Sequence, residues 1–254
     1  TEFAKDKAQN MRCCSEFLGV NHYVHKAFSK GVVSFQAKDS LREKVIVMAK
    51  DALETNSMTP AEASKFRGTV GFTGSAVFGR IGRAALGALK QRQYSDQHPW
   101  TLSLHLMRSL EFQIVINQSI LHREVPVIPC QGCLILIASD AQADSSPTGG
   151  WIMSDNGCKQ AGFCRFGQVL PVWGFEPGSE AHCIAECECA MLLVCVWKLR
   201  HHLRERRVVW FLDNSPSLFA VIKGSSTNVI LSRTVEVFHM ICYSFNITVW
   251  FEFV

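Results

Sequence analysis

Leu134-Ile135-Leu136-Ile137-Ala138-Ser139-Asp140 is a continuous apolar run that stops at an aspartate, and Val208-Val209-Trp210-Phe211-Leu212-Asp213 repeats the pattern. A run of β-branched and aromatic residues without alternation reads as a strand buried on both faces. After the first run come a turn-rich loop at residues 144–150 and a short strand at 151–153. A further strand is expected over residues 162–170 and a helix over 184–203. Beyond the second run, Ser215 and Pro216 start a short helix that Gly224 ends. A helix over residues 229–243 and a last strand over 247–254 complete the order. Three strands followed by helix, strand, helices and strand predict an α/β fold: a mixed five-stranded sheet with flanking helices.

Upstream the pattern changes. Residues 11–38 read as short strands and turns, with Glu16-Phe17-Leu18-Gly19-Val20, a turn at Lys30-Gly31, then Val32-Val33-Ser34-Phe35-Gln36-Ala37. Asp39 and Ser40 can cap a helix to residue 54 with Leu41, Val45, Met48 and Ala52 on one stripe. Thr59-Pro60-Ala61-Glu62 is a sharper start signal: a capping hydroxyl, Pro at the first helical position and Glu three residues past the cap. The stretch after it contains Gly71, Ser75, Gly79 and Gly82, either a small-residue stripe on one helix or the mark of a broken one. Arg80, Arg83 and Lys90 lie roughly on one face and can follow a nucleic-acid backbone, or be plain surface. His98-Pro99 marks a break before a helix over residues 100–119, and residues 122–132, with Pro126 and Pro129, read as a linker. The expected division is a mainly helical connector over residues 1–125 and the α/β domain over residues 126–254.

Composition narrows the class. The 254 residues are 48% hydrophobic and 19% charged, which fits a core-forming chain and excludes a disordered one. No apolar run approaches the roughly 20 residues of a membrane span, and the polar first residues are no signal peptide. An odd count of eleven cysteines at scattered spacing argues for a reducing, intracellular compartment. Residues 1–95 carry 15 Lys/Arg against 8 Asp/Glu, and residues 96–254 carry 11 against 14. Such an asymmetry can pair phosphate binding with metal-binding carboxylates, or be ordinary solvated surface. The chain opens without Met and stops after Trp250-Phe251-Glu252-Phe253-Val254, which reads as a fragment.

The carboxylates carry the chemistry. Ligand sites of α/β sheets lie beyond the carboxyl ends of strands, so Asp140 and Asp213 on neighbouring strands would meet there. Alone they repel, and a hard divalent cation such as Mg²⁺ or Mn²⁺ removes that penalty. The intervening helix offers a third acid. Glu188 shares a wholly apolar stripe with Met191, Leu192, Cys195, Leu199 and Leu203, whereas Glu186 lines up with Ala190, Leu193, Trp197 and Arg200. Glu188 is the preferred ligand, with Glu186 still open. Two strand-end aspartates can also simply begin loops.

At these residues the sequence resembles the ribonuclease H domain of retroelement reverse transcriptase polyproteins. The pieces that carry the resemblance are ILIASDAQADSSPTGGW, IAECECAMLLVCVWKL and RRVVWFLDNSPSLFAVIKG. The family pattern is Asp on the first strand, Glu on the first helix and Asp at the end of the fourth strand, which Asp140, Glu188 and Asp213 fill. Upstream, SMTPAEASKFRGTVGFTGSAVFGRIGRAALGALKQRQY is similar to the thumb and connection segment of those polyproteins, and EFLGV to a strand following the polymerase motif. The resemblance implies metal-dependent hydrolysis of the RNA strand of RNA–DNA hybrids. Asp140 would bridge two cations, with Glu188 and Asp213 holding one each. The Tyr-x-Asp-Asp polymerase motif is missing from the sequence, so no polymerase activity is expected. The family's fourth acid would fall past Val254, so hydrolysis is expected to be impaired. The alternative is a non-catalytic, degenerate module that binds nucleic acid or protein.

Other signals have plainer readings. Cys130-Gln131-Gly132-Cys133 and the group Cys183, Cys187 and Cys189 are zinc ligands only if four converge; otherwise they are buried thiols. His182 could assist product release or be an ordinary loop residue, and His201-His202 and Arg204-Glu205-Arg206-Arg207 read as polar surface, the latter open to phosphate.

Overall fold

The structure, a computed structural model, describes residues 13–17, 19–74, 80–96, 100–119, 122–127, 134–143, 146–166 and 183–254. Backbone proximity divides the chain into two compact units, Thr1–Cys130 and Gln131–Val254.

In the first unit β1 (Cys14–Phe17) and β2 (Val20–Tyr23) form a hairpin, so the EFLGV stretch turns between two strands and is not one strand. The short helix α1 (His25–Lys30) ends at Gly31, whose φ of 66° is a left-handed value suited to glycine. It leads into β3 (Val32–Ala37). Helices α2 (Asp39–Glu54), α3 (Pro60–Thr73), α4 (Ala85–Tyr94) and α5 (Leu104–Gln118) pack around Val45, Phe66, Leu89, Leu106 and Leu110. The α3 start is a complete capping box: Thr59 N–H donates to Glu62 at 2.7 Å, and Glu62 N–H to the Thr59 hydroxyl at 3.2 Å. Buried Arg42 ties α2 to the end of α5, with two guanidinium nitrogens donating to the Asn117 carbonyl at 3.0 and 2.6 Å.

In this unit one open alternative is decided and one expectation is corrected. The helix is broken: α3 ends at Thr73, and Gly82 has φ 79°, where a Cβ would also come within 3.1 Å of the Gln113 side chain. Residues 75–79 lie outside the described residues. The expected linker also begins as a strand, β4 (His122–Pro126), antiparallel to β3 and closing a sheet in the order β1-β2-β3-β4. Pro126, placed in the second domain by the sequence, is therefore part of the first unit's sheet.

The second unit is a mixed α/β structure. Its sheet has the order β7-β6-β5-β8-β9, from β5 (Ile135–Gln142), β6 (Thr148–Asp155), β7 (Cys158–Arg165), β8 (Arg207–Leu212) and β9 (Thr248–Phe253). The first three are antiparallel, and β5, β8 and β9 run parallel. Asn156 and Gly157, with φ 50° and 83°, make the two-residue turn between β6 and β7. Helices α6 (Ile184–Leu199), α7 (Ser215–Lys223) and α8 (Val229–Ser244) complete the unit, α6 and α8 sharing a core with Ile137, Trp210, Leu212 and Phe251. No helix of the described residues is long and apolar enough to cross a membrane.

Here too the structure differs from the sequence reading. β5 is not buried on both faces: Ile135, Ile137, Ser139 and Ala141 are buried, while Leu136, Ala138 and Asp140 are exposed. The strand runs through Asp140 to Gln142 and does not end there. The expected loop at 144–150 already contains the start of β6, and α6 ends at Leu199, four residues early. Part of the strand expected over 162–170, residues 167–170, lies outside the described residues.

Gly149 explains how α6 sits so close to the sheet. A Cβ there would stand 2.7 Å from Met191 Sδ and 2.8 Å from the Phe166 ring, so a side chain is excluded by close packing. Met191 and Phe166 are both buried, in an interior of the density at which extra atoms displace their neighbours. Gly149→Ala is therefore expected to lower the unfolding free energy by about 1–3 kcal/mol, the usual range for overpacking. Urea denaturation checks this, and a variant as stable as the parent would contradict the close approach.

Candidate metal centre

The parallel register of β5 and β8 sets the site. Ile135 pairs with Val208 and Ala138 with Phe211, and the same offset carried on puts Asp213, just past β8, across from Asp140. β5 outlasts that ladder because β6 goes on pairing with it on the other side, Asp140 with Gly150 and Gln142 with Thr148. After Asp213, Asn214 caps α7 by accepting Ser217 N–H at 3.0 Å, and Pro216 suits the first turn.

The third acid comes from α6. Glu188 Oε1 accepts the Ala141 N–H at 3.0 Å, so the backbone one residue past Asp140 orients the side chain. Asp140, Glu188 and Asp213 each offer a carboxylate oxygen, and these atoms lie within 4.8 Å of one another. Glu188 is only 2% exposed, while Asp140 and Asp213 face solvent. Glu186 goes elsewhere: its Oε1 accepts from Asn228 Nδ2 at 2.6 Å and ties α6 to the cap of α8. The structure thus brings Glu188, and not Glu186, to the two aspartates.

The electrostatics of the cluster are unbalanced. Burial pushes the Glu188 carboxyl up to about 8; the Ala141 amide pulls it down, and the charges of Asp140 and Asp213 push it further up. Glu188 Oε2 is buried without a hydrogen-bond partner. A hard divalent cation fits this set: every donor is a carboxylate oxygen, and Oε2 is a buried polar atom that a cation or a proton would satisfy. Among the described residues, no other group of three His, Cys, Asp or Glu side chains has this spacing.

The supports of the site were not evident from the sequence. Trp210 Nε1, fully buried, donates to Ser139 Oγ at 2.9 Å and locks β8 to β5 beside Asp140. Asp155, five residues along β6 from the Gly150 that faces Asp140 and so away from the carboxylates, pairs with His202 at 3.0 Å and Arg206 at 2.9 Å, and His202 stays exposed as polar surface. Alternation in the first strand could have flagged Ser139 as inward-facing; nothing local pointed to Asp155.

Other candidates fare differently. Arg80 and Arg83 sit before α4 and Lys90 within it. The positive φ of Gly82 interrupts the helical phase between them, so the single helical face expected for the three does not exist. Cys183 and Cys187 are buried with their sulfurs 3.9 Å apart, and burial pushes the thiols of Cys187 and Cys189 up to about 12. They are packed as small apolar groups. Cys130, Cys133 and His182 lie outside the described residues.

A pH dependence follows. Glu188 titrates at about 8 in the fold against an ordinary 4.5. Its contribution to stability is then fully present below about 4.5 and lost as pH rises through about 8. With divalent cations chelated, the urea midpoint should fall over that window, and Glu188→Gln should flatten the fall. Glu236, pushed up by burial to about 7, adds to the slope, so Glu236→Gln is the reference variant. An identical slope in Glu188→Gln and the parent would contradict this electrostatic picture.

No family model matches the chain, and no curated protein matches it. Among solved structures, RNase H1 from the halophilic archaeon Halobacterium salinarum NRC-1 aligns with a TM-score of 0.36 and 8% identity, over 48% of this chain and 85% of that one. At that level the likeness gives neither family nor function.

Proposed function

We propose that Asp140, Glu188 and Asp213 hold divalent cations, Mg²⁺ or Mn²⁺, for hydrolysis of the RNA strand of an RNA–DNA hybrid. The observation that carries the reading is the convergence of three carboxylates within 4.8 Å around a buried, partnerless Glu188 oxygen. Their order also supports it. The acids stand on the first strand of the second unit, its first described helix and the end of its fourth strand, as the retroelement ribonuclease H resemblance implies.

Bound there, divalent cations supply an activated water and Lewis-acid stabilisation of charge on the phosphate and leaving oxygen. The chain's own residues do the rest. Glu188, oriented by the Ala141 amide, would hold a cation as the buried member of the set. Asp140 and Asp213, both solvent-facing, would complete the ligand set on the side from which a substrate can approach. Selection of a hybrid would rest on backbone shape and 2′-hydroxyls and not on base sequence. Arg80, Arg83 and Lys90 remain candidates for phosphate contacts, as individual side chains and not as a helical stripe. The reading includes descent from a retroelement reverse transcriptase.

The test is cleavage of an end-labelled RNA–DNA hybrid by the full chain in Mg²⁺ and in Mn²⁺. Cation-dependent cleavage is expected to drop by at least about a hundredfold in Asp140→Asn and in Asp213→Asn, as when an interaction specific to the transition state is removed. Cleavage that survives either substitution would sink the assignment. Cation-independent binding of the hybrid by a folded chain, without cleavage, would favour the non-catalytic module.

A further inference from the structure

Ser217, the third residue of α7, is fully buried, and its polar atoms reach across to α6. Its N–H donates to Asn214 Oδ1 at 3.0 Å. Its hydroxyl lies 2.8 Å from the same Oδ1 and 3.0 Å from the Ala185 carbonyl of α6, and the Cys189 thiol hydrogen-bonds it as well. A hydroxyl has one proton to donate and can accept with its lone pairs. Asn214 Oδ1 already receives the Ser217 N–H, so giving the hydroxyl proton to Ala185 leaves both oxygens partnered, with the Cys189 sulfur a further acceptor beside it.

The placement of these partners is what matters. Asn214 directly follows Asp213. Ala185 lies three residues before Glu188, and Cys189 directly after it. One side chain therefore ties the segment that presents Asp213 to the turn of α6 that presents Glu188. Those two carboxylates repel each other, so their spacing must be imposed by the frame around them.

We propose that Ser217 is a positioning residue, holding Glu188 and Asp213 at the spacing a divalent cation requires; this rests on reading the three carboxylates as a cation site. Ligands are held by the groups that orient them, and loss of such an outer partner typically weakens metal binding by about 10–100-fold. Ser217 touches the neighbours of two ligands and not the ligands themselves, so the effect belongs at the lower end of that range.

The experiment titrates Mn²⁺ into the full chain and follows the free-ion electron paramagnetic resonance signal, for the parent, Ser217→Ala and Asp213→Asn. Thermal unfolding reports whether each is folded. Ser217→Ala is expected to bind Mn²⁺ about tenfold more weakly than the parent while still folded. A purely structural serine would lower the melting temperature and leave the affinity of the folded protein unchanged. Ser217→Cys, of similar volume but with only a weak donor, is expected to shift in the same direction and serves if the alanine variant does not fold. Parent-like affinity in a folded variant overturns the proposal. A parent that binds no Mn²⁺ overturns the cation reading itself, and that failure shows before any Ser217 variant is compared.

Discussion

Like charges crowded together at the end of a sheet, one of them buried, are the constraint that the second unit is built around. At an effective dielectric of about 20, two carboxylates some 5 Å apart repel by about 3–4 kcal/mol. A hydrogen bond to a charged group returns only about 1.5–3 kcal/mol. The single amide of Ala141 cannot offset two such repulsions together with the desolvation of Glu188. A proton on Glu188 or a cation between the three side chains can, and only the cation lets all three stay ionised. Without a cation, the raised pKa of Glu188 keeps that carboxyl protonated at neutral pH and relieves the repulsion.

Holding the acids in that arrangement falls to apolar packing and a few polar ties. The bare backbone of Gly149 lets Met191 press α6 onto β6. Trp210 bridges to Ser139 and fixes the parallel strands in register beside the site. Glu186, passed over as a ligand, ties α6 to Asn228, and Ser217 ties it to the turn after Asp213. Glu188 is the buried member of the site, and Asp140 and Asp213 face solvent.

Much of this was legible in the sequence for local reasons. A capping box, a Pro at a helix start and a Gly past a helix end act within four residues, and the helices at Thr59, Asn214 and Gly224 begin or stop where those signals stand. The apolar stripe of α6 singled out Glu188, because a carboxylate on a buried face must meet something polar. What escaped depends on distant pairing. β4 carries a Pro and no apolar alternation, and it is a strand only because β3 pairs with it from about ninety residues away. β5 looked finished at Asp140 because its apolar run stops there, while β6 goes on pairing with it to Gln142. A single positive φ at Gly82 undid the helical face assumed for Arg80, Arg83 and Lys90, and no periodicity argument sees that.

The claim on which the account stands is that the three carboxylates bind a divalent cation. It is tested most directly by anomalous diffraction from crystals of the full chain grown with Mn²⁺. The account predicts a strong anomalous peak between Asp140, Glu188 and Asp213, with carboxylate oxygens at coordination distance and Glu188 Oε2 among them. Well-ordered side chains with no peak there, or a peak held by other residues alone, would contradict it.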